Sequence, residues 1–200
     1  EGMSLEEVAA VGKPTVLLGL SAVGGLFSQA LVQGVQEAAE ESGGSAVIFP
    51  LSNPTHKAEC TAAQAYEWTN GKCVFASGSP FDPVEGPEGK TFIPSQCNNM
   101  FIFPGLGLGA TVCGASVVTD QTLYASALSL AGCLTDEERA AGQVRGFGSV
   151  VLGWFLLSVL HSYYSLFCPA GSEKVFPSVN RIRNVSEDVA HSVMMSSAEQ

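Results

Sequence analysis

The chain reads as an α/β fold: a parallel sheet with flanking helices, followed by an α-helical C-terminal segment. Three observations predict this. Continuous apolar runs stand at 15–20 (TVLLGL), 46–51 (AVIFPL) and 73–78 (CVFASG), the pattern of strands covered on both faces. Each run leads into small or polar residues: Ser21 to Gly25, Ser52-Asn53-Pro54-Thr55, and Ser77-Gly78. Segments with apolar residues at helical spacing separate the runs.

The elements follow in order. Residues 1–11 carry Met3, Leu5, Val8 and Ala9 among acids and read as the end of a helix, broken at Lys13-Pro14. After the first strand, Phe27, Leu31, Val35 and Ala38 recur at helical spacing. Ser42-Gly43-Gly44 stops that helix. The second strand then enters Ser-Asn-Pro. Strand–helix–strand closes as a right-handed parallel crossover. Thr61 and Gln64 have capping-box spacing and open a helix that stops near Asn70-Gly71. After the third strand, 79–94 is a loop rich in Pro, Gly and acids, read as a surface hairpin.

Gly105-x-Gly107-x-x-Ala110 fits the dinucleotide fingerprint. We reject it as a phosphate loop. Pro104 occupies a first-turn helix position, and no acid ends a second strand about 20 residues on. The segment 104–118 is instead expected to be a helix whose glycines permit close packing. Thr119 caps a helix holding Leu123, Ala127, Leu130 and Ala131; Thr135 and Glu138 form another capping box; Ser186 starts a last helix with Val189, Val193 and Met194.

Bulk properties limit the function. Two hundred residues make one domain or a little more. The net charge is −10 with no basic cluster, which argues against nucleic acid, whose phosphates require Lys and Arg. Six cysteines, none in CxxC spacing, read as reduced core thiols, not as a zinc site or a disulfide framework. The chain starts at Glu1 with no charged-then-apolar leader, and is expected to be an internal or C-terminal piece of something longer. From 147 to 167 no residue is charged, about the length a bilayer core requires. A membrane helix, a buried helix and an inserted segment all compete for that stretch. His161, two glycines and nearly balanced flanking charge weaken the membrane reading.

In an open α/β sheet, ligands bind at the carboxyl edge of the strands, so Ser21, Asn53 and Ser77 are expected to line one crevice. Asparagine there supplies a donor and an acceptor without charge, which suits a small hydroxy- or keto-acid beside a cofactor. The competing reading makes Asn53 and the pair Asn98-Asn99 plain turn residues.

The stretch 12–27 (GKPTVLLGLSAVGGLF) resembles the malic enzyme family. So do Phe49 to Thr55, Ala58-Glu59-Cys60-Thr61-Ala62, Ala65-Tyr66, Cys73 to Pro83 (CVFASGSPFDP) and Gln96 to Gly109 (QCNNMFIFPGLGLG). The collinear match covers about 1–143 and resumes at about 175–193, with Phe176-Pro177 and Ile182-Arg183. It implies a Rossmann-like NAD(P)-binding domain, of which 1–118 would be the C-terminal half, and a helical segment at 119–200 with an atypical apolar insertion at 144–174. The implied reaction is oxidative decarboxylation of L-malate to pyruvate and CO2, with NAD or NADP taking the hydride and Mg2+ or Mn2+ polarising the C2 oxygen. By the same resemblance, Asn53, Asn98 and, more weakly, Asn99 contact substrate, while Gly19, Ser21, Ala22 and Asn53 face the cofactor. A homo-oligomer, commonly a tetramer, and a cytoplasmic, plastid or mitochondrial location are implied in the same way.

Departures limit the inference. The family's usual Gly-Gln-Gly-Asn-Asn is here Ser95-Gln96-Cys97-Asn98-Asn99, two glycines fewer. The family's Tyr/Lys acid–base residues, substrate Arg, metal carboxylates and phosphate loop lie upstream of the matched region, so this chain alone is expected to be inactive. Joining Gln143 to Val175 restores a family-like Gly-Gln-Val-Phe-Pro-Ser-Val. Because Val codons begin GT and Lys can be AAG, a retained intron over 144–174 fits both ends. The rival function is a non-catalytic membrane-associated or partner-binding protein using 147–167.

Overall fold

The computed structural model of the protein describes residues 2–86, 89–135, 138 and 176–198. They fall into two compact units, one running up to Asn98 and the other from Asn99 onward. The apolar stretch 147–167 and the insertion 144–174 lie outside the described residues.

The first unit carries the sheet. β1 (Val16–Gly19), β2 (Val47–Pro50) and β3 (Val74–Ser77) run parallel, as the apolar runs predict, with Val16 opposite Val47 and Ile48 opposite Phe75. A fourth parallel strand, β6 (Ser95–Gln96), extends the order to β1-β2-β3-β6. It is too short and polar to show as a strand in the sequence. Between β1 and β2 runs α2 (Gln29–Glu41), capped by the Ser28 hydroxyl on the Leu31 amide. Its Leu31, Val32 and Val35 pack into a core with Ile48, Phe75 and Tyr66. Tyr66 belongs to α3 (Ala62–Trp68), which opens with both arms of the Thr61/Gln64 capping box.

The stretch 79–94 does contain a hairpin, β4 (Val84–Glu85) against β5 (Thr91–Phe92). It is not confined to the surface. Phe92 is buried, its ring stacked on Tyr66 at a centroid distance of 4.4 Å. The first helix differs from expectation in the other direction. α1 (Leu5–Gly12) begins within the chain, on a Ser4/Glu7 capping box, and buries none of its residues. Left-handed Lys13, with φ 42°, ends it.

The second unit is helical. α4 (Phe103–Val112) starts with Pro in its first turn and accommodates the glycine run as a helix, not as a phosphate loop. It stops at Val112, earlier than the expected 118, because Gly114 takes φ +64° just past the C-cap. α5 (Asp120–Gly132) carries the expected Thr119 cap. α6 (Ile182–Ala198) begins four residues before Ser186, whose hydroxyl donates to the Ile182 carbonyl from inside the helix. Added Cβ atoms at Gly105 and Gly109 would stand 2.6 and 2.7 Å from the Val189 and Val193 side chains of α6, so the glycines let the two backbones approach. Ahead of α6, Arg181 donates to the Cys133 carbonyl at 2.8 Å and to Glu138 at 2.6 Å. The reciprocal bonds of the Thr135/Glu138 box are also present.

Candidate functional site

The strands end together. Leu51 N–H donates to Gly19 O at 2.9 Å, Gly78 N–H to Pro50 O at 3.2 Å and Cys97 N–H to Ser77 O at 2.8 Å. The ladder thus continues one residue past β2, β3 and β6, and four loops leave from one carboxyl edge.

Asn53 and Asn98 approach neighbouring residues of one loop, Asn53 at Ser79 and Asn98 at Gly78. Asn98 Nδ2 donates to Gly78 O at 3.1 Å. Ser79 Oγ donates to Asn53 Oδ1, and Asn53 Nδ2 reaches Leu51 O at 3.5 Å. Gly78 permits this closeness: a Cβ there would stand 2.2 Å from Leu51 O and 2.9 Å from Asn53 Nδ2. Asn53 is exposed, Asn98 half-buried, and the Asn53–Pro54 peptide is cis. With its oxygen engaged by Ser79, the Asn53 amide presents N–H, the donor end. Ser77 is fully buried, its hydroxyl donating to Ser79 O. It therefore shapes the loop and does not line a crevice. Asn99 begins a short 3-10 turn (Asn99–Phe101) in the second unit and is exposed.

The loop after β1 is fixed from below. Gly25 N–H donates to Ala58 O at 3.1 Å and Phe27 N–H to Glu59 O at 2.9 Å. Ser21 N–H and Oγ both donate to Glu59 Oε1, at 3.1 and 3.2 Å. Ala22 N–H donates to Ser52 Oγ at 2.8 Å, and Ser52 Oγ donates in turn to Glu59 Oε1. Ala22 is held at φ 57°, a left-handed conformation costing an L residue about 1–2 kcal/mol. Leu20, Val23 and Leu26 of the same loop are exposed. Gly19 is buried, and a Cβ on it would stand 2.3 Å from the Glu59 carboxyl. A glycine is needed there to admit Glu59, whatever else approaches.

Three residues of the site carry no signal in the sequence. Ser52 and Glu59 stand inside quoted motifs, but their bonds span 30 and 38 residues, which no local pattern reveals. Ser79 looks like loop punctuation. Burial pushes the Cys60 and Cys97 thiols up to about 12 and that of Cys73 up to about 11, so these three stay protonated and poorly nucleophilic.

The edge is uncharged at Asn53 and Asn98, with exposed apolar side chains beside it. That suits a nicotinamide ring and a small acid. Among the described residues, no three His, Cys, Asp or Glu side chains group so as to hold a metal ion. No helix among them is long and apolar enough to cross a membrane.

Residues 1–145 match the family described as "Malic enzyme, NAD binding domain". The NADP-dependent malic enzyme of Dictyostelium discoideum is 52% identical over 141 residues, 70% of this chain and 25% of the relative. That of Populus trichocarpa is 50% identical over 140 residues, 70% of this chain and 23% of the relative. The NAD-dependent malic enzyme 2, mitochondrial, of Arabidopsis thaliana is 38% identical over 194 residues, 97% of this chain and 26% of the relative. The chain spans about a quarter of the length of these relatives.

Proposed function

The chain belongs to the malic enzyme family, and from that premise we propose that it supplies the carboxyl-edge half of a site for oxidative decarboxylation of L-malate to pyruvate and CO2. The observation that carries this reading is the convergence of Asn53 and Asn98 on Gly78-Ser79, at the edge where the 19–22 loop also emerges. When bound, NAD or NADP takes the hydride from C2 of malate. Residues 1–118 are assigned to the nucleotide-binding domain, and the described part of 119–200 to the helical segment. By family, the assembly is a homo-tetramer, a mass that sedimentation would read directly.

The roles of this chain's residues follow from their chemistry. Asn53 and Asn98 donate amide N–H to malate oxygens and so orient C2 toward the nicotinamide. Neither ionises between pH 4 and 10, so neither moves a proton. Gly19, Ser21 and Ala22 form the loop beneath the cofactor, and Leu20 and Val23 offer it apolar surface. Asn99 is assigned a lesser contact with substrate. No step is assigned to the metal, for which the described residues offer no ligand set.

Two measurements test this. Purified chain given malate, Mn2+ and either cofactor is expected to form no reduced nucleotide; turnover would contradict the half-site reading. In saturation-transfer NMR with NADH or NADPH, the nicotinamide protons are expected to receive more saturation than the adenine protons. Transfer to adenine alone, or none, counts against it.

A further inference from the structure

Glu59 has no part in the reading above, yet its side chain is fully buried. A carboxyl removed from water is costly unless it is hydrogen-bonded, so its partners indicate its purpose. All three donors arrive at one oxygen. Ser21 N–H, Ser21 Oγ and Ser52 Oγ converge on Oε1. Oε2 is buried without a partner and lies against the Gly19 backbone.

Ser52 extends the arrangement. Its oxygen donates to Glu59 and accepts from Ala22 N–H, the amide of the residue held at φ 57°. Ser52 also immediately precedes Asn53. One carboxylate oxygen therefore ties the loop after β1, the turn after β2 and the entry to α3. Carboxylate is the chemistry that fits. It accepts on every lone pair, and charge-assisted bonds are the stronger ones. A glutamine would have to bring its N–H2 either to Oε1, where three donors already converge, or to the position pressed against Gly19.

Resting on the malate-site reading, we infer that Glu59 is a positioning residue. Through Ser21 and Ser52 it sets the conformation in which the 19–22 loop and the Asn53 turn face nicotinamide and substrate. It does not itself touch either.

The test is residue-resolved hydrogen exchange on the full chain carrying Glu59→Gln, Ser52→Ala or Ser52→Thr. Losing a bond to a charged group is expected to speed exchange at Ser21 and Ala22 on the order of tenfold or more in Glu59→Gln. Ala22 is informative because its amide bonds Ser52, not Glu59. Ser52→Ala should speed Ala22, and Ser52→Thr, which keeps the hydroxyl, should restore it. Amides of α5 and α6 should stay unchanged in all three. Exchange at Ser21 and Ala22 within twofold of the parent, or a rise shared by the whole chain, overturns the inference. Saturation transfer on the unsubstituted chain decides the nucleotide reading separately, so the two claims fail independently.

Discussion

Gly105, Gly107 and Gly109 lie on one helix and are expected to respond to alanine with opposite signs. In a helix interior, Gly→Ala gains about 1 kcal/mol of propensity. At Gly107 nothing lies within 4 Å of the added Cβ, so the whole gain is kept. At Gly105 the Cβ meets Ser186 O at 2.6 Å and Val189 Cβ at 2.6 Å; at Gly109 it meets Ala190 O and Val193 Cβ at 2.7 Å. Those neighbours are backbone and β-branched atoms of a buried helix face, which cannot swing aside. Overpacking of this kind costs typically 1–3 kcal/mol, and forcing two backbones apart belongs at the upper end. The net expectation is about 1–2 kcal/mol of destabilisation at 105 and at 109, against up to about 1 kcal/mol of stabilisation at 107. For a chain of this size each kcal/mol moves Tm by about 2–4 °C. Urea unfolding followed by far-UV circular dichroism reads all three. If Gly105→Ala is as stable as Gly107→Ala, the close-packing explanation of the glycine run is wrong, and the phosphate-loop reading regains its claim.

Further outcomes are expected elsewhere. Burial pushes the Glu138 carboxyl up, but the Thr135 and Ser178 amides and the Arg181 guanidinium outweigh it, leaving it below the usual carboxylate range. Its stabilising effect is therefore present above about pH 4.3 and lost as pH falls through the depressed folded value. Glu138→Gln should destabilise the chain at pH 7 and flatten its acid limb in pH-dependent urea midpoints; an unchanged limb counts against this. Phe92→Ala removes the ring stacked on Tyr66 and should cost about 3–5 kcal/mol, and a loss under about 1 kcal/mol would mean that the hairpin is not part of the core. Transcripts lacking the codons for 144–174 should be found by RNA sequencing if that stretch is a retained intron; their uniform absence removes the idea.

The sheet was legible because a strand buried on both faces is a continuous apolar run, and 15–20, 46–51 and 73–78 are such runs. The caps at Thr61 and Thr119 were legible because capping is a local bond written at fixed spacing. What escaped was either short or distant. β6 is two residues long, too brief for any period. Gly114 ended α4 by its conformation, six residues short of the expected 118. Phe92 gains burial from Tyr66, a residue on another element. For the site, parallel topology was enough to bring the strand ends together, but not to reveal Glu59. An acid two residues before a helix cap ordinarily faces water. Only the fold brings it under Ser21 and Ser52.

The central claim is that the carboxyl edge, not the glycine helix, faces nicotinamide and malate. Side-chain amide resonances of Asn53 and Asn98 in 15N-labelled chain, titrated with NADPH or NADH and then L-malate, test it most directly. The account predicts shifts at those two amides and at the backbone of Ser21 and Ala22, with 105–110 unmoved. Shifts centred on 105–110, with Asn53 and Asn98 silent, would contradict it.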